Sequence, residues 1–267
     1  MNPHFVISQV SIISYFATFL ILLRIHSIKF SRTWFVPLSA LYFGLVFATL
    51  FNIFFDGALS SKTLSENSLT ILILNSFNPL NKLGRVMYGG YLGSIFGIWI
   101  TDLVFRRKSL SDFLDISAIS WSIFLFIFRI GCFTVGCCFG MPSRIFGISF
   151  PIGSSAFTHL EGSNLVVGDA TVPLLPTQLI SSAGNFAIFL FLLILFCKNK
   201  TRYPYFYFFA HALLYGTGRF IIEFFRIDPR EFWGPLSMSQ WISIVLVAAA
   251  LVFFIKNRKE ISESFRK

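Results

Sequence analysis

The sequence predicts an all-α integral membrane protein with about seven transmembrane helices and a small extracytoplasmic head. Three observations carry that expectation. Of the 267 residues, 55% are hydrophobic and 18% aromatic, and the mean hydropathy is +0.73. Charged residues make up 13%, against about 25% in an average globular chain. Apolar runs of bilayer-crossing length also alternate with short basic loops. One polytopic domain over residues 1–267 accounts for all three.

Length and flanking charge divide the chain into apolar segments at residues 5–23, 34–55, 86–105, 113–140, 177–197, 205–225 and 236–255. The first has no basic run before it and Arg24 behind it, so it is expected to be a span and not a cleaved leader. The fourth is long enough to tilt or to extend beyond the lipid. Alternate loops hold Arg24, Lys29, Arg32, Arg106, Arg107, Lys108, Lys198, Lys200 and Arg202, and the tail adds Lys256, Arg258, Lys259, Arg266 and Lys267. The opposite loops hold only Lys62, Lys82, Arg85, Arg144, Arg226 and Arg230. The positive-inside rule therefore predicts an outer N-terminus and a cytoplasmic C-terminus. A net charge of +10 distributed in this way argues against a nucleic-acid partner and for a membrane surface.

The orientation puts segments 56–85, 141–176 and 226–235 on the outer side. The middle one, with Phe146-Gly147-Ile148-Ser149-Phe150-Pro151 and later Pro173 and Pro176, is expected to be a cap of short strands and turns. His4, His26, His159 and His211 have no ligand spacing, and His159 is the one histidine in the cap. Cys132, Cys137 and Cys138 crowd one stretch without a CxxC pair, so no metal centre and no cofactor is expected. A vicinal Cys137–Cys138 disulfide and ordinary buried thiols are both open readings.

The chemistry-bearing stretch runs from Phe128 to Gly140 at the outer end of the fourth segment. An arginine near the bilayer centre costs roughly 2.5–3.5 kcal/mol on insertion scales, so Arg129 is expected to face protein or a polar ligand. At about 100° per residue, Arg129, Cys132, Gly136 and Gly140 fall within an arc of about 80° on one helix face. Small residues beside a fixed cation suit a phosphate-bearing lipid. The same pattern also suits a small-residue helix seam with a snorkelling arginine.

Three further motifs flank this core. Arg219, Glu223 and Arg226 share one helix face at spacings of four and three, leaving net positive charge near the outer surface. A guanidinium matches phosphate bidentately and stays charged; the competing reading is a salt bridge that pins two helices. Tyr88-Gly89-Gly90-Tyr91 opens the third segment with a close-approach face, and Pro176-Thr177-Gln178 opens the fifth, where a headgroup hydrogen-bond donor and an ordinary polar interfacial residue are both open readings of Gln178.

These motifs, in this order, resemble the prolipoprotein diacylglyceryl transferases of bacterial inner membranes. The matching pieces are Tyr88 to Gly93, Arg129 to Phe133, Gly136, Gly140, Pro176 to Leu179, Gly218-Arg219-Phe220-Ile221-Ile222-Glu223-Phe224-Phe225-Arg226 and Leu236-Ser237-Met238-Ser239-Gln240. The resemblance implies seven spans, an outer N-terminus and a periplasmic head. It also implies transfer of the diacylglyceryl group of phosphatidylglycerol to the lipobox cysteine of a preprolipoprotein. Carried over by position, Arg129 holds the phospholipid and Arg219 is a second essential arginine, with Tyr88 at the place of an assisting group. Gly89, Gly90, Gly140, Gln178, Glu223 and Arg226 fall on substrate-binding positions.

The departures fall on proton handling. Tyr88 and Leu175 stand where the family has histidines, Cys132 stands for its asparagine and Cys137 for a frequent glutamate, and Ile180-Ser181 replaces a Tyr-Glu pair. Three readings follow: an active transferase, an anionic-phospholipid-binding relative without turnover or with a different acceptor, and an enzyme using one of the clustered cysteines as nucleophile.

Overall fold

A computed structural model describes residues 3–26, 34–55, 87–105, 109–198, 203–230 and 232–266. The expected outer segment 56–85, with Arg85, and the basic loops at 28–33 and 106–108 lie outside the described residues. The long helices are α1 (Pro3–Ile25), α2 (Phe35–Phe55), α3 (Met87–Phe105) and α4 (Leu110–Val135). After the cap come α6 (Thr177–Lys198), α7 (Phe206–Glu223) and α8 (Met238–Lys256), with the surface helix α9 (Arg258–Arg266) closing the chain. Within the cap lie the short helix α5 (Ser155–Leu160) and the antiparallel pair β1 (Val166–Val167) and β2 (Ala170–Thr171). A second hairpin, β3 (Phe232–Trp233) and β4 (Leu236–Ser237), leads into α8.

Among the described helices, α1, α4, α6 and α8 are long and apolar enough to cross a membrane, and Phe35–Phe51 of α2 is a shorter apolar stretch. The remaining two long helices are less apolar, diluted by glycines and tyrosines in α3 and by the Arg219–Glu223 pair in α7. The protein is thus an all-α membrane protein with small β elements in its connections.

α4 is the centre of the bundle. It packs against α1, α6, α7 and α3, and buries Phe113, Ile116, Ile119 and Leu125. Its polar residues are satisfied locally or across helices. The Ser117 and Tyr15 hydroxyls lie 2.8 Å apart, tying α4 to α1. Asp115 accepts from the Phe208 backbone N–H at 2.8 Å, so a carboxylate of α4 caps the first turn of α7.

α2 and α3 approach more closely than side chains permit. A Cβ on Gly93 would sit 2.2 Å from the Phe43 carbonyl oxygen, and one on Gly89 would sit 2.6 Å from that of Phe47. The run Gly89, Gly93, Gly97 is therefore the helix seam, as the small-residue pattern allowed.

α4 ends earlier than the sequence suggested. Gly136 takes the left-handed C-cap conformation at φ 77°, and its N–H returns to the Cys132 and Phe133 carbonyls. The expected helical face of Arg129, Cys132, Gly136 and Gly140 is corrected accordingly: only Arg129 and Cys132 are helical. Residues 139–141 instead run as extended chain, with Gly140 N–H donating to Leu175 O at 3.0 Å and Met141 N–H to Phe225 O at 2.8 Å. This small seam ties the end of α4, the start of α6 and the end of α7 at one end of the bundle.

Candidate functional site

Arg129 is buried, in the last two turns of α4. Among the described residues, no carboxylate lies within ion-pair distance of it. A buried, unpaired guanidinium in an apolar bundle is costly unless a ligand completes it. It opens on a cavity of about 410 Å³ between α4, α6 and α7, walled by Ile180, Ile188, Gly218, Ile222 and Phe225. Its polar groups are Arg129, Arg219, Tyr215, Ser181 and Asn185. The size is that of an ordinary small-molecule site, about 300–1,000 Å³.

The second arginine is held, not free. Glu223 is 2% exposed and sits among three guanidinium groups. Arg219 Nη1 lies 2.8 Å from its Oε2, Arg226 Nη1 3.3 Å from the same oxygen, and Arg230 Nε 3.2 Å from Oε1. The first contact is a charge contact off the hydrogen-bond line, since Arg219 Nη1 has no aligned acceptor among the described residues. Arg219 Nη2 is fixed by the Ser239 hydroxyl at 3.2 Å, and the Ser237 hydroxyl donates to Glu223 Oε1 at 3.1 Å. Arg226 forks onto both oxygens of Asp228, at 2.8 and 2.6 Å. Burial works against the charge of Arg226, yet the Cys138 thiol, Asp228 and Glu223 outweigh it and raise its pKa. Arg129, Arg219, Arg226 and Arg230 against Glu223 and Asp228 leave two positive charges uncompensated among the described residues.

α8 is braced to this cluster by its own start. Ser237 Oγ accepts from Gln240 N–H at 3.3 Å, and Gln240 Oε1 accepts from Ser237 N–H at 2.9 Å, a complete capping box. One residue, Ser237, thus ends a β hairpin, starts α8 and orients Glu223.

Of the residues singled out from the sequence, Arg129, Arg219, Glu223 and Arg226 come together. The others are placed differently. Tyr88 is 2% exposed, its hydroxyl is 2.6 Å from the Ser243 hydroxyl, and its ring meets Tyr215 edge-on at 5.8 Å, so it stands behind the cavity wall. Gly89 lies in the α2–α3 seam, and Gly90 borders a separate apolar cavity of about 130 Å³ beside Trp121. Gly140 lies in the backbone seam, where a Cβ would come within 2.8 Å of the Leu175 carbonyl oxygen. Gln178 is fully buried and donates to the Cys137 carbonyl at 2.6 Å.

Sequence reasoning missed Asn185, Tyr215, Asp228, Arg230 and Ser239. Ser237-x-x-Gln240 was a readable capping signal; Asn185 and Tyr215 carry no local signal and meet Arg129 only through packing. Cys132, Cys137 and Cys138, spaced by five and by one and so outside a CxxC pattern, have their sulfur atoms within 4.8 Å of one another.

The fold and the cavity together define a multi-pass helical membrane protein with an arginine-lined cavity among apolar walls. The chain belongs to the prolipoprotein diacylglyceryl transferase family, whose model matches residues 10–256. It is 35% identical over 185 residues to phosphatidylglycerol–prolipoprotein diacylglyceryl transferase 2 of Clostridium perfringens, covering 67% of this chain and 66% of that protein. It is 32% identical over 177 residues to the transferase so named in Clostridium tetani (66% and 65%), and 32% over 184 residues to that of Tolumonas auensis (66% and 64%). The matched stretch spans just under two thirds of the length of these relatives.

Proposed function

We propose that this protein moves the diacylglyceryl group of phosphatidylglycerol onto the thiol of a lipobox cysteine in a preprolipoprotein, releasing glycerol phosphate. The observation that carries this reading is Arg129, a buried guanidinium without a carboxylate partner among the described residues, open to an apolar-walled cavity. A phospholipid supplies both what the cation lacks and what the walls favour. The relatives' names state the same lipid and the same class of acceptor.

On this reading the protein is a bacterial inner-membrane protein of seven spans, with its N-terminus outside and its C-terminus cytoplasmic. α2, α3 and α7 are the remaining spans, and residues 141–176 with the α7–α8 hairpin form the outer face around the site. The excess of lysine and arginine in the opposite loops supports that orientation.

Arg129 takes the phosphodiester oxygens, and Arg219, held in position by Glu223 and Ser239, stabilises the charge that develops on them. The phosphodiester has one negative charge and the departing glycerol phosphate approaches two. Two uncompensated positive charges placed in advance match the later state better than the earlier one, which is the condition for catalysis. The acceptor sulfur attacks as thiolate, forms the S–C bond to the glyceryl carbon, and the C–O bond to phosphate breaks with its electron pair leaving on oxygen. Glu223 and Arg226 orient Arg219, while Tyr88 fixes the position of Tyr215 from behind.

The test is a transfer assay with purified protein, phosphatidylglycerol labelled in its acyl chains and a lipobox peptide. Label on the peptide cysteine, lost in Arg129→Ala, supports the assignment. Phospholipid that binds but never transfers at any protein concentration overturns it in favour of anionic-lipid binding alone.

A further inference from the structure

The proposed reaction needs a thiolate, yet neither Tyr88 nor Leu175 supplies the histidine of the family pattern, and Tyr88 is occupied by Ser243. The end of α4 offers another way to make one. Cys132 sits in the last turn, buried at 4% exposure. The chain then turns back on itself through two left-handed residues, Gly136 at φ 77° and Cys138 at φ 59°. This reversal brings all three thiols within 4.8 Å of one another, unpaired by any disulfide.

The arrangement is held from outside. Gln178 donates to the Cys137 carbonyl at 2.6 Å, the Thr177 hydroxyl donates to the Cys138 carbonyl, and the Cys137 N–H returns to the Cys132 carbonyl at 3.2 Å. Left-handed backbone at a non-glycine residue persists only where its surroundings impose it. The Cys137 and Cys138 carbonyls are pinned by the first turn of α6, so the positions of these two residues are set by the fold and not by local preference alone.

We propose that Cys132, Cys137 and Cys138 form a three-thiolate site for Zn²⁺, with the fourth coordination position left for the acceptor thiol. Zn–S bonds of about 2.3 Å at tetrahedral angles put sulfurs about 3.8 Å apart, so a shift of about 1 Å per pair closes the cluster on the ion. Three protein ligands and one open position are the pattern of a working zinc site, whereas structural sites use four. Cys137 and Cys138 are half-buried, which leaves the ion a path in. The surroundings accept the added negative charge, since the Arg129 and Arg226 guanidinium groups stand near the trio.

The role of the fourth position rests on the proposed transferase reading. The acceptor R–SH binds zinc as thiolate, displacing water and giving its proton to solvent, since a metal-bound thiol is deprotonated outright. The sulfur then attacks the glyceryl carbon as described above, and the ion changes neither charge nor oxidation state.

Full-length protein in detergent, reduced and loaded with ZnCl₂, is desalted and its zinc measured by mass spectrometry. The expected content is about one ion per chain, retained in Cys197→Ser and reduced at least about ten-fold in Cys137→Ser and in the triple serine variant. Cobalt loading of the unaltered protein gives an independent readout, a sulfur-to-cobalt charge-transfer band with tetrahedral d–d absorption. Substoichiometric zinc, zinc retained in the triple variant, no thiolate–cobalt band, or a disulfide within the trio in the protein purified without reductant overturns the site. Zinc-free protein that transfers lipid at full rate overturns the role of the fourth position. Zinc held on the three thiols of a protein that never transfers lipid upholds the site and overturns the transferase reading instead.

Discussion

Replacing Glu223 by glutamine changes one oxygen to nitrogen and removes the charge at the centre of the arginine cluster. The carboxylate is 2% exposed and faces Arg219, Arg226 and Arg230 at 2.8, 3.3 and 3.2 Å. Without it, Asp228 alone opposes three guanidinium groups, and it already holds both arms of Arg226. Removing one partner of a buried ion pair costs about 3–5 kcal/mol, because the surviving charge stays buried and unpaired. For a chain of this size each kcal/mol lowers Tm by about 2–4 °C, so the expected fall is about 6–20 °C. Intrinsic tryptophan fluorescence during thermal unfolding in detergent reads it directly. Adding Arg230→Met to Glu223→Gln removes one of the stranded cations and is expected to recover part of the loss. A Tm for Glu223→Gln within about 2 °C of the parent, or a double variant with purely additive losses, refutes the view of Glu223 as the hub of the cluster.

Other perturbations separate support from chemistry. Gly93→Ala drives a methyl group to 2.2 Å from the Phe43 carbonyl oxygen and should destabilise the α2–α3 seam by about 3 kcal/mol, read as a lower Tm. Gly218→Phe projects into the cavity, where an added Cβ meets nothing within 4 Å. It should leave Tm nearly unchanged while cutting lipid transfer at least about ten-fold, since it occupies volume the ligand needs. Ser237→Ala removes both the α8 cap and a Glu223 partner, and is expected to cost about 1–2 kcal/mol in thermal unfolding.

Much of this architecture was legible because hydrophobic length and charge placement are local properties. The bounds of α1, α2, α3, α6, α7 and α8 fall within two residues of the apolar segments. Arg219 and Glu223 were readable together because a helix fixes the geometry of residues four apart. Reading failed where the helical period was carried past its end. Gly136 and Gly140 were placed on a face of α4, but Gly136 is the cap that stops it, and Gly140 is a seam residue pressed between two carbonyls. Asp228 and Arg230 lie beyond α7 in irregular chain that doubles back on Glu223, so no periodicity marks them. The cysteine trio was hidden for the same reason: spacing along a chain says nothing once two left-handed residues have folded it back. Tyr88 was picked out by its place in the family pattern and Gln178 as a polar residue at a helix start, but their polar groups are engaged by Ser243 and by the Cys137 carbonyl.

The ordering of charges around Glu223 also bears on how the chain is made. On the proposed seven-span topology, α7 must leave the insertion machinery with an arginine and a glutamate on board, where a lone charge near the bilayer centre costs roughly 2.5–3.5 kcal/mol. Their positions, four residues apart on one helical stripe and 2.8 Å from each other, let the helix partition as a nearly neutral dipole before any other helix has docked. Arg226, Asp228 and Arg230 follow directly behind, and Ser237 arrives with the next helix. Synthesis therefore delivers the ions in the order in which they can be compensated, and the cationic centre is completed only when α8 is in place to lock it.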